Sequence, residues 1–170
     1  MDVRIRPARV GDLERISEIY DTVIVDSHVS FDVEPWSVER RRAWWERYAG
    51  TGPYRVLVAE VDGTVVGVTY SSPYKDKVAY RSTVETTIVL DPRFTNQGIG
   101  PLLLRSLLDE LTAVGVHRAI AVVALPNDPS IKLHEALGYL RIGTLDEVGF
   151  KHGRYWDTAI LQKRLGRAGS

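Results

Sequence analysis

Residues 84–108 read VETTIVLDPRFTNQGIGPLLLRSLL, and this stretch decides the fold class. The β-branched run from Thr83 to Leu90 predicts a central strand. Asp91-Pro92 marks its exit, because a residue before proline is pushed out of helical backbone and proline offers no ladder donor. A glycine-bearing loop follows at Gln97-Gly98-Ile99-Gly100. Leu104, Leu107, Leu108, Leu111 and Val114 then recur on one helical face until Gly115 supplies a stop. Pro101 falls early in that helix, where its missing N–H leaves no ladder bond unmade. A strand, a glycine loop and a helix N-terminus in this order aim unpaired backbone N–H groups at a phosphate, which points to a nucleotide-like ligand. Two familiar motifs do not fit. A Walker loop needs Lys and then Ser or Thr after its glycines, and a dinucleotide fingerprint needs a third glycine where Leu103 stands. Gly-x-Gly also occurs in ordinary strand-to-helix turns, so other residues must decide between cradle and turn.

Upstream, Val3 and Ile5 alternate with Arg4 and Arg6 before Pro7, predicting a short strand. Asp12 opens a helical pattern through Leu13, Ile16, Ile19, Tyr20 and Val23. Ser37 caps a second predicted helix over 37–48, with Glu39 in its first turn and an aromatic side of Trp44, Trp45 and Tyr48. Asp62-Gly63 between apolar runs at 55–61 and 65–70 predicts a hairpin. Residues 71–79 are polar and turn-rich, a candidate substrate-facing loop. Downstream, 118–125 reads as a strand, 130–137 as a short helix ended by Gly138, and 154–162 as a last strand. Strands interspersed with helices, plus a hairpin before the central strand, predict a mixed α/β sheet rather than a continuous Rossmann repeat.

At 170 residues and 44% hydrophobic content the chain can enclose one substantial core, so the expectation is one domain over 1–165 with a loose tail at 166–170. Basic and acidic residues balance at 22 each, which gives no electrostatic footprint for nucleic acid or an anionic membrane. With no cysteine, disulfides, thiol catalysis and cysteine-ligated metal are excluded. No helical His-Glu-x-x-His pattern or paired carboxylate cluster specifies a metal. The absence of a long apolar segment leads to an expectation of a cytoplasmic protein.

Glu85 is the sharper catalytic candidate, because it lies inside a predicted internal strand immediately before the glycine loop. Burial beside a cleft would raise its pKa toward that of a useful general base. An exposed-face glutamate, or a structural pair with Arg81, is the competing reading. His134 sits among apolar positions of a short helix and is either a packing histidine or an imidazole that orients an acceptor or passes a proton. Asn127 and Ser130 can cap that helix or hydrogen-bond a cofactor's amide chain. His28, His117 and His152 lack comparable context.

The assembled pattern resembles the GCN5-related N-acetyltransferase superfamily, specifically its phosphinothricin N-acetyltransferase-like branch. The resemblance rests on YRSTVETTIVLDP from Tyr80, the QGIG loop, LPNDPSIKLHEALGY from Leu125 and EVGFKHGRYWD from Glu147, and spans nearly the whole chain. It implies a mixed, mostly antiparallel central sheet flanked by helices, acetyl-CoA as cosubstrate, and no metal. Ile88, Val89 and Leu90 would lie along the pantetheine arm, with Gln97, Gly98, Ile99, Gly100 and Pro101 around the pyrophosphate. Asn127 matches a coenzyme-contacting asparagine. Glu85 would be the base for the acceptor amine, and His134 takes the position where many members carry a tyrosine general acid. Thr95 departs from the usual Arg or Gln at the head of the phosphate loop, leaving any side-chain assistance to Arg93. The branch implies direct acetyl transfer to a small amino acid or analogue, such as phosphinothricin or methionine sulfoximine. Arg81 would recognise an anionic group, with Phe31, Tyr74 and Lys75 lining the acceptor side. The GFKHGRYWD segment resembles one that builds a dimer in this branch, so a homodimer is expected. Two other functions share these features: a peptide N-terminal acetyltransferase and a non-catalytic acetyl-CoA-binding module.

Overall fold

Charged and apolar residues alternate in β1 (Val3–Pro7), which pairs antiparallel with β2 (Val56–Val61) in the computed structural model; the structure describes residues 1–48 and 50–166. The Asp62-Gly63 turn has φ of 48° and 81° at its two residues, the left-handed pair that a two-residue hairpin requires, and it returns β2 into β3 (Thr64–Pro73). β3 pairs antiparallel with β4 (Thr83–Leu90), and β4 pairs parallel with β5 (Arg118–Ala124). β7 (Arg154–Arg164) lies between β5 and the edge strand β6 (Leu140–Lys151), giving the order β1-β2-β3-β4-β5-β7-β6. The sheet is therefore mixed and mostly antiparallel, as the resemblance implies.

Two layers of helix follow from the apolar stripes. α1 (Leu13–Asp26) and α2 (Val38–Trp45) bury Ile16, Ile19, Ile24 and Trp44 against Val58 and Val68. α3 (Ile99–Ala113) buries Leu103, Leu104, Leu107 and Leu111 against Leu57, Val84 and Leu161 on the opposite face, beside α4 (Asp128–Ala136). Each such leucine contributes about 1.5–3 kcal/mol by leaving water.

β4 and β5 part company early. Their pairing covers Thr83↔Arg118, Val84↔Ala119 and Glu85↔Ile120 only. β4 stays paired with β3 as far as Leu90, and β5 with β7 as far as Ala124. Beyond Glu85 the β5-facing edge of β4 thus has no strand partner. At the fork, the hydroxyls of Thr86 and Tyr139 are 2.7 Å apart, and Thr86 Oγ1 donates to the Ile120 carbonyl at 3.3 Å. The other end of this free edge is tied by Asp91. Its carboxylate accepts from the Arg93 backbone N–H and guanidinium, and from Arg15 of α1, while its own N–H donates to Val66 O at 2.8 Å.

Several sequence expectations need correction. No strand was expected between Gly138 and Arg154, where β6 runs for 12 residues. Its pairing with β7 slips twice and Glu147 adopts φ 52°, so the alternation at its two ends, Leu140–Gly143 and Val148–Lys151, is interrupted in the middle and gives no continuous period-two signal. β3 continues past Tyr70 because Ser71 Oγ donates to Pro53 O and accepts from Arg55 N–H, so a polar residue serves as a buried strand residue. α2 ends at Trp45, and Tyr48 packs beyond it, tilted against Trp44. Asp12 does not cap α1 through its side chain; its carboxylate accepts from the Arg9 N–H and from both terminal nitrogens of Arg6. Of the expected tail, residues 167–170 lie outside the described residues.

Arg93, with Arg15, holds the Asp91 carboxyl far below its usual range although the residue is buried. A depressed folded-state pKa contributes stability that is present above the unfolded value of about 3.9 and is lost as pH falls below it. Asp91→Ala is expected to cost about 2 kcal/mol in urea unfolding at pH 7, by leaving the half-buried Arg15 with only the exposed Glu18 as a carboxylate partner. The gap between variant and wild type should narrow below about pH 3.9; a gap independent of pH would assign the loss to packing.

Candidate active site

Glu85 stands at the last position of β4 paired with β5, where the fork begins. Cross-strand partners share a face, so Ser72↔Glu85 and Tyr70↔Thr87 set Glu85 on the side of the sheet covered by α1 and α2. Its carboxyl is half-buried, and burial alone pushes its pKa up. It makes no hydrogen bond or ion pair among the described residues, so the expected alternative of a structural pair with Arg81 is not formed. Nearby on this face Tyr20 donates to Tyr70 across 2.9 Å, and burial raises both phenols above their usual value.

Thr86 points the other way, to the α3 and α4 face, and meets Tyr139. His134, 3% exposed, packs edge-on against the Tyr139 ring at 5.0 Å between centroids. Glu85 and His134 therefore approach the fork from opposite faces of β4. The Ser130 carbonyl lies 2.8 Å from His134 Nδ1 and can only accept, so Nδ1 carries the proton and Nε2 keeps its lone pair. Burial lowers the imidazole pKa against this hydrogen bond, which favours the neutral ring. In that state Nε2 can receive a hydrogen bond but has no proton to give, so the geometry suits an orienting role better than proton donation.

The coenzyme candidates line the open arm of the fork. Ile88 and Leu90 turn backbone donors and acceptors to the unpaired edge while Val89 between them faces β3, the arrangement an extended amide-bearing chain can extend as if it were a strand. Gly98, with φ 78°, is the left-handed residue that turns the loop into α3, and Gln97 and Gly98 are exposed there. Backbone N–H groups of Gly98, Ile99, Gly100 and Leu102 open the helix; the Ile99 side chain is buried, so its contribution is backbone only. Pro101 has no N–H and shapes the first turn without donating. These groups fit a diphosphate followed by an amide chain. Arg93 is committed to Asp91, at 2.7 and 3.0 Å, which bears on the assistance expected from it. Asn127 Oδ1 accepts from Ser130 N–H at 3.3 Å, the capping arrangement, and Ser130 Oγ lies 3.4 Å from His134 Nδ1.

The acceptor candidates come from two segments. Tyr74, Lys75 and Arg81 sit on the connection from β3 to β4, where the Tyr74 and Tyr80 rings meet edge-on at 5.5 Å and the Lys75 ammonium lies over Tyr74. Phe31 lies on the connection from α1 to α2 with its ring against Gly149 of β6. His28, which sequence context passed over, donates from Nε2 to the Pro126 carbonyl at 2.8 Å and stacks on Trp156 at 4.1 Å. Tyr139, Thr86 and Lys151 were also missed as site-building residues. Only the position of Thr86 directly after Glu85 hinted at a role, since neighbouring strand residues face opposite sides.

A model of the acetyltransferase (GNAT) family matches residues 18–139. The chain is 40% identical over 166 residues to a phosphinothricin N-acetyltransferase of Streptomyces coelicolor, covering 96% of this chain and 97% of that protein. It is 32% identical to an L-methionine sulfoximine/L-methionine sulfone acetyltransferase of Salmonella typhimurium, covering 95% and 94%. A phosphinothricin acetyltransferase from Sinorhizobium meliloti, solved in complex with acetyl-CoA, superposes with a TM-score of 0.93 at 36% identity, over 98% of this chain and 90% of that one. A fold shared along the full sheet and sequence identity of this extent lead to one conclusion: the chain belongs to the acetyltransferase (GNAT) family.

Proposed function

We propose that this chain transfers the acetyl group of acetyl-CoA to the primary amine of a small amino acid or analogue of the phosphinothricin or methionine sulfoximine/sulfone type. The observation that carries the reading is Glu85, a half-buried carboxylate with a raised pKa and no partner among the described residues, at the point where the β5-facing edge of β4 becomes free. Acetyl-CoA supplies an activated acyl carbon. The backbone edge at Ile88–Leu90 and the N–H groups of 98–100 hold its amide arm and diphosphate. Glu85 accepts a proton from the acceptor's ammonium, directly or through water, and thereby frees the nitrogen lone pair. A C–N bond then forms as the C–S bond breaks, in one ternary complex; the nitrogen's second proton passes through solvent to the departing thiolate, and backbone N–H groups of Ile88 and Leu90 on the free edge stabilise charge on the carbonyl oxygen. A thiolate with a pKa of about 8–9 leaves readily, so His134 need only orient the reacting groups from the far side of the fork. Asn127 and Ser130 add polar contacts to the amide arm.

A small acceptor is favoured over an extended peptide because the connection between α1 and α2 lies on the Glu85 side of the sheet, where it packs on β6 and walls off that end. The Ser30 carbonyl accepts from Lys151 and the Phe31 ring lies on Gly149, so the segment is held against the β6 end of the sheet. Phe31, Tyr74, Lys75 and Arg81 form the acceptor walls in this reading, with Arg81 meeting an anionic group. Residues 1–165 act as one domain, in the cytoplasm where the coenzyme is at hand. Two chains pair through edge strand β6, whose Leu140, Ile142, Val148 and Phe150 are 54–69% exposed.

Thiol release from acetyl-CoA, with products identified by mass spectrometry, tests the reaction against phosphinothricin, methionine sulfoximine, common amino acids and short peptides. N-acetylation of a small amino acid analogue is expected; acetylation confined to peptides, or coenzyme binding without turnover, would replace the proposal. Glu85→Gln should lower kcat/KM by about 100-fold or more while acetyl-CoA still binds. The wild-type acid limb should lie above the ordinary carboxylate value of about 4.3. Because the folded-state pKa is raised, Glu85 lowers stability as pH climbs through that window, so Glu85→Gln should melt above wild type at pH 8 with the gain fading near pH 4. Phe150→Asp should convert a dimer to a monomer in light scattering; a monomeric wild type would remove the dimer.

A further inference from the structure

Lys151 is a charged residue that the proposed chemistry leaves without a task, and it is 3% exposed. β6 alternates at its end: Val148 and Phe150 face outward, whereas Gly149 and Lys151 face in. The Lys151 ammonium donates to the Ile24 carbonyl at 2.6 Å and to the Ser30 carbonyl at 2.7 Å. Ile24 belongs to the last turn of α1, whose carbonyls lack intrahelical partners and carry the negative end of the helix dipole. That environment compensates a buried cation that has no carboxylate within ion-pair distance among the described residues. Desolvation nonetheless lowers the ammonium pKa, with Asp32 opposing it.

The same short segment is pinned twice more. Phe31 lies on Gly149, where an added Cβ would come within 2.3 Å of its ring. His28 is fixed by Pro126 and Trp156, and Trp156 Nε1 donates to the Lys151 carbonyl at 2.8 Å, so both clamps share one β6–β7 hairpin. None of these contacts touches the unpaired edge of β4 or the loop at 97–100. We infer that Lys151 is a positioning residue for the acceptor: from the far edge of the sheet it fixes residues 27–32, and through them sets Phe31 over the Glu85 face. The inference rests on Phe31 being an acceptor wall, as proposed above. It makes amine recognition depend on β6, a strand remote in sequence from the segment that contacts the substrate, while coenzyme binding does not depend on it.

Lys151→Met keeps the buried stem and removes every donor. Its steady-state KM for the acceptor amine should rise about tenfold or more, with KM for acetyl-CoA within about twofold of wild type. Amide hydrogen exchange of the ligand-free variant should show lost protection at 27–32 and none in α3. Gly149→Ala reaches the same Phe31 without touching the ammonium, because the ring must move off the added methyl. It should raise the acceptor KM, and the double variant should fall short of the sum of the two effects. Both KM values rising together, with exchange faster throughout the protein, would reduce Lys151 to a general stabiliser and overturn the inference. So would an unchanged acceptor KM in an active variant. If wild type acetylates none of the amines, the proposed acceptor fails instead, and exchange alone decides the clamp: unaltered protection at 27–32 would overturn it.

Discussion

Everything distinctive about this molecule depends on a parallel pairing that stops after three residues. β4 belongs to the antiparallel half of the sheet through β3, and β5 belongs to the other half through β7. Between Glu85↔Ile120 and the strand ends the two halves separate. A row of backbone amides inside a sheet normally finds partners there, and an unpaired row is costly unless something else takes the place of the missing strand. An extended ligand with amide groups is such a replacement. The glycine loop and α3 then follow from β4 and deliver helix N-terminal N–H groups to the mouth of the opening.

A fork that opens has to be kept from closing or tearing, and both ends of the free edge are tied by polar contacts. Thr86 and Tyr139 hold its root in buried surroundings, with the Tyr139 phenol pushed up to about 12. Asp91, gripped by two arginines, holds its tip and couples α1 to the phosphate loop. Glu85 sits just before the root anchor and is the exception, a carboxylate that burial destabilises and that no partner among the described residues compensates. Such uncompensated cost at the entrance of an opening is what a proton acceptor for an amine requires. The two faces of β4 differ at the fork: one carries Glu85, the other the histidine–tyrosine pair.

The strand, loop and helix of 83–114 were legible because β-branched residues, Asp-Pro, glycines and a leucine stripe all agree on the same local structure, and the Asp62-Gly63 hairpin was legible for the same reason. The fork itself leaves no local signal, since Thr86 and Ile120 look like any strand residues until their partners are known. β6 was illegible because register shifts break its alternation into two short pieces, each too brief to read as a strand. Lys151 and His28 escaped for a related reason. Their partners are more than 90 residues away in sequence, and a lysine bonded to backbone carbonyls makes no motif. Glu85 stood out through its place in an apolar strand, but its lack of a partner needed coordinates.

A crystal structure of this protein with acetyl-CoA and a non-reactive analogue of the acceptor tests the central claim most directly. The account predicts the amide arm paired to the β5-facing edge of Ile88–Leu90, the diphosphate on the N–H groups of 98–100, and the analogue's nitrogen within hydrogen-bond reach of Glu85, directly or through one water. A coenzyme bound elsewhere, or a nitrogen held on the side of β4 away from Glu85, would contradict it.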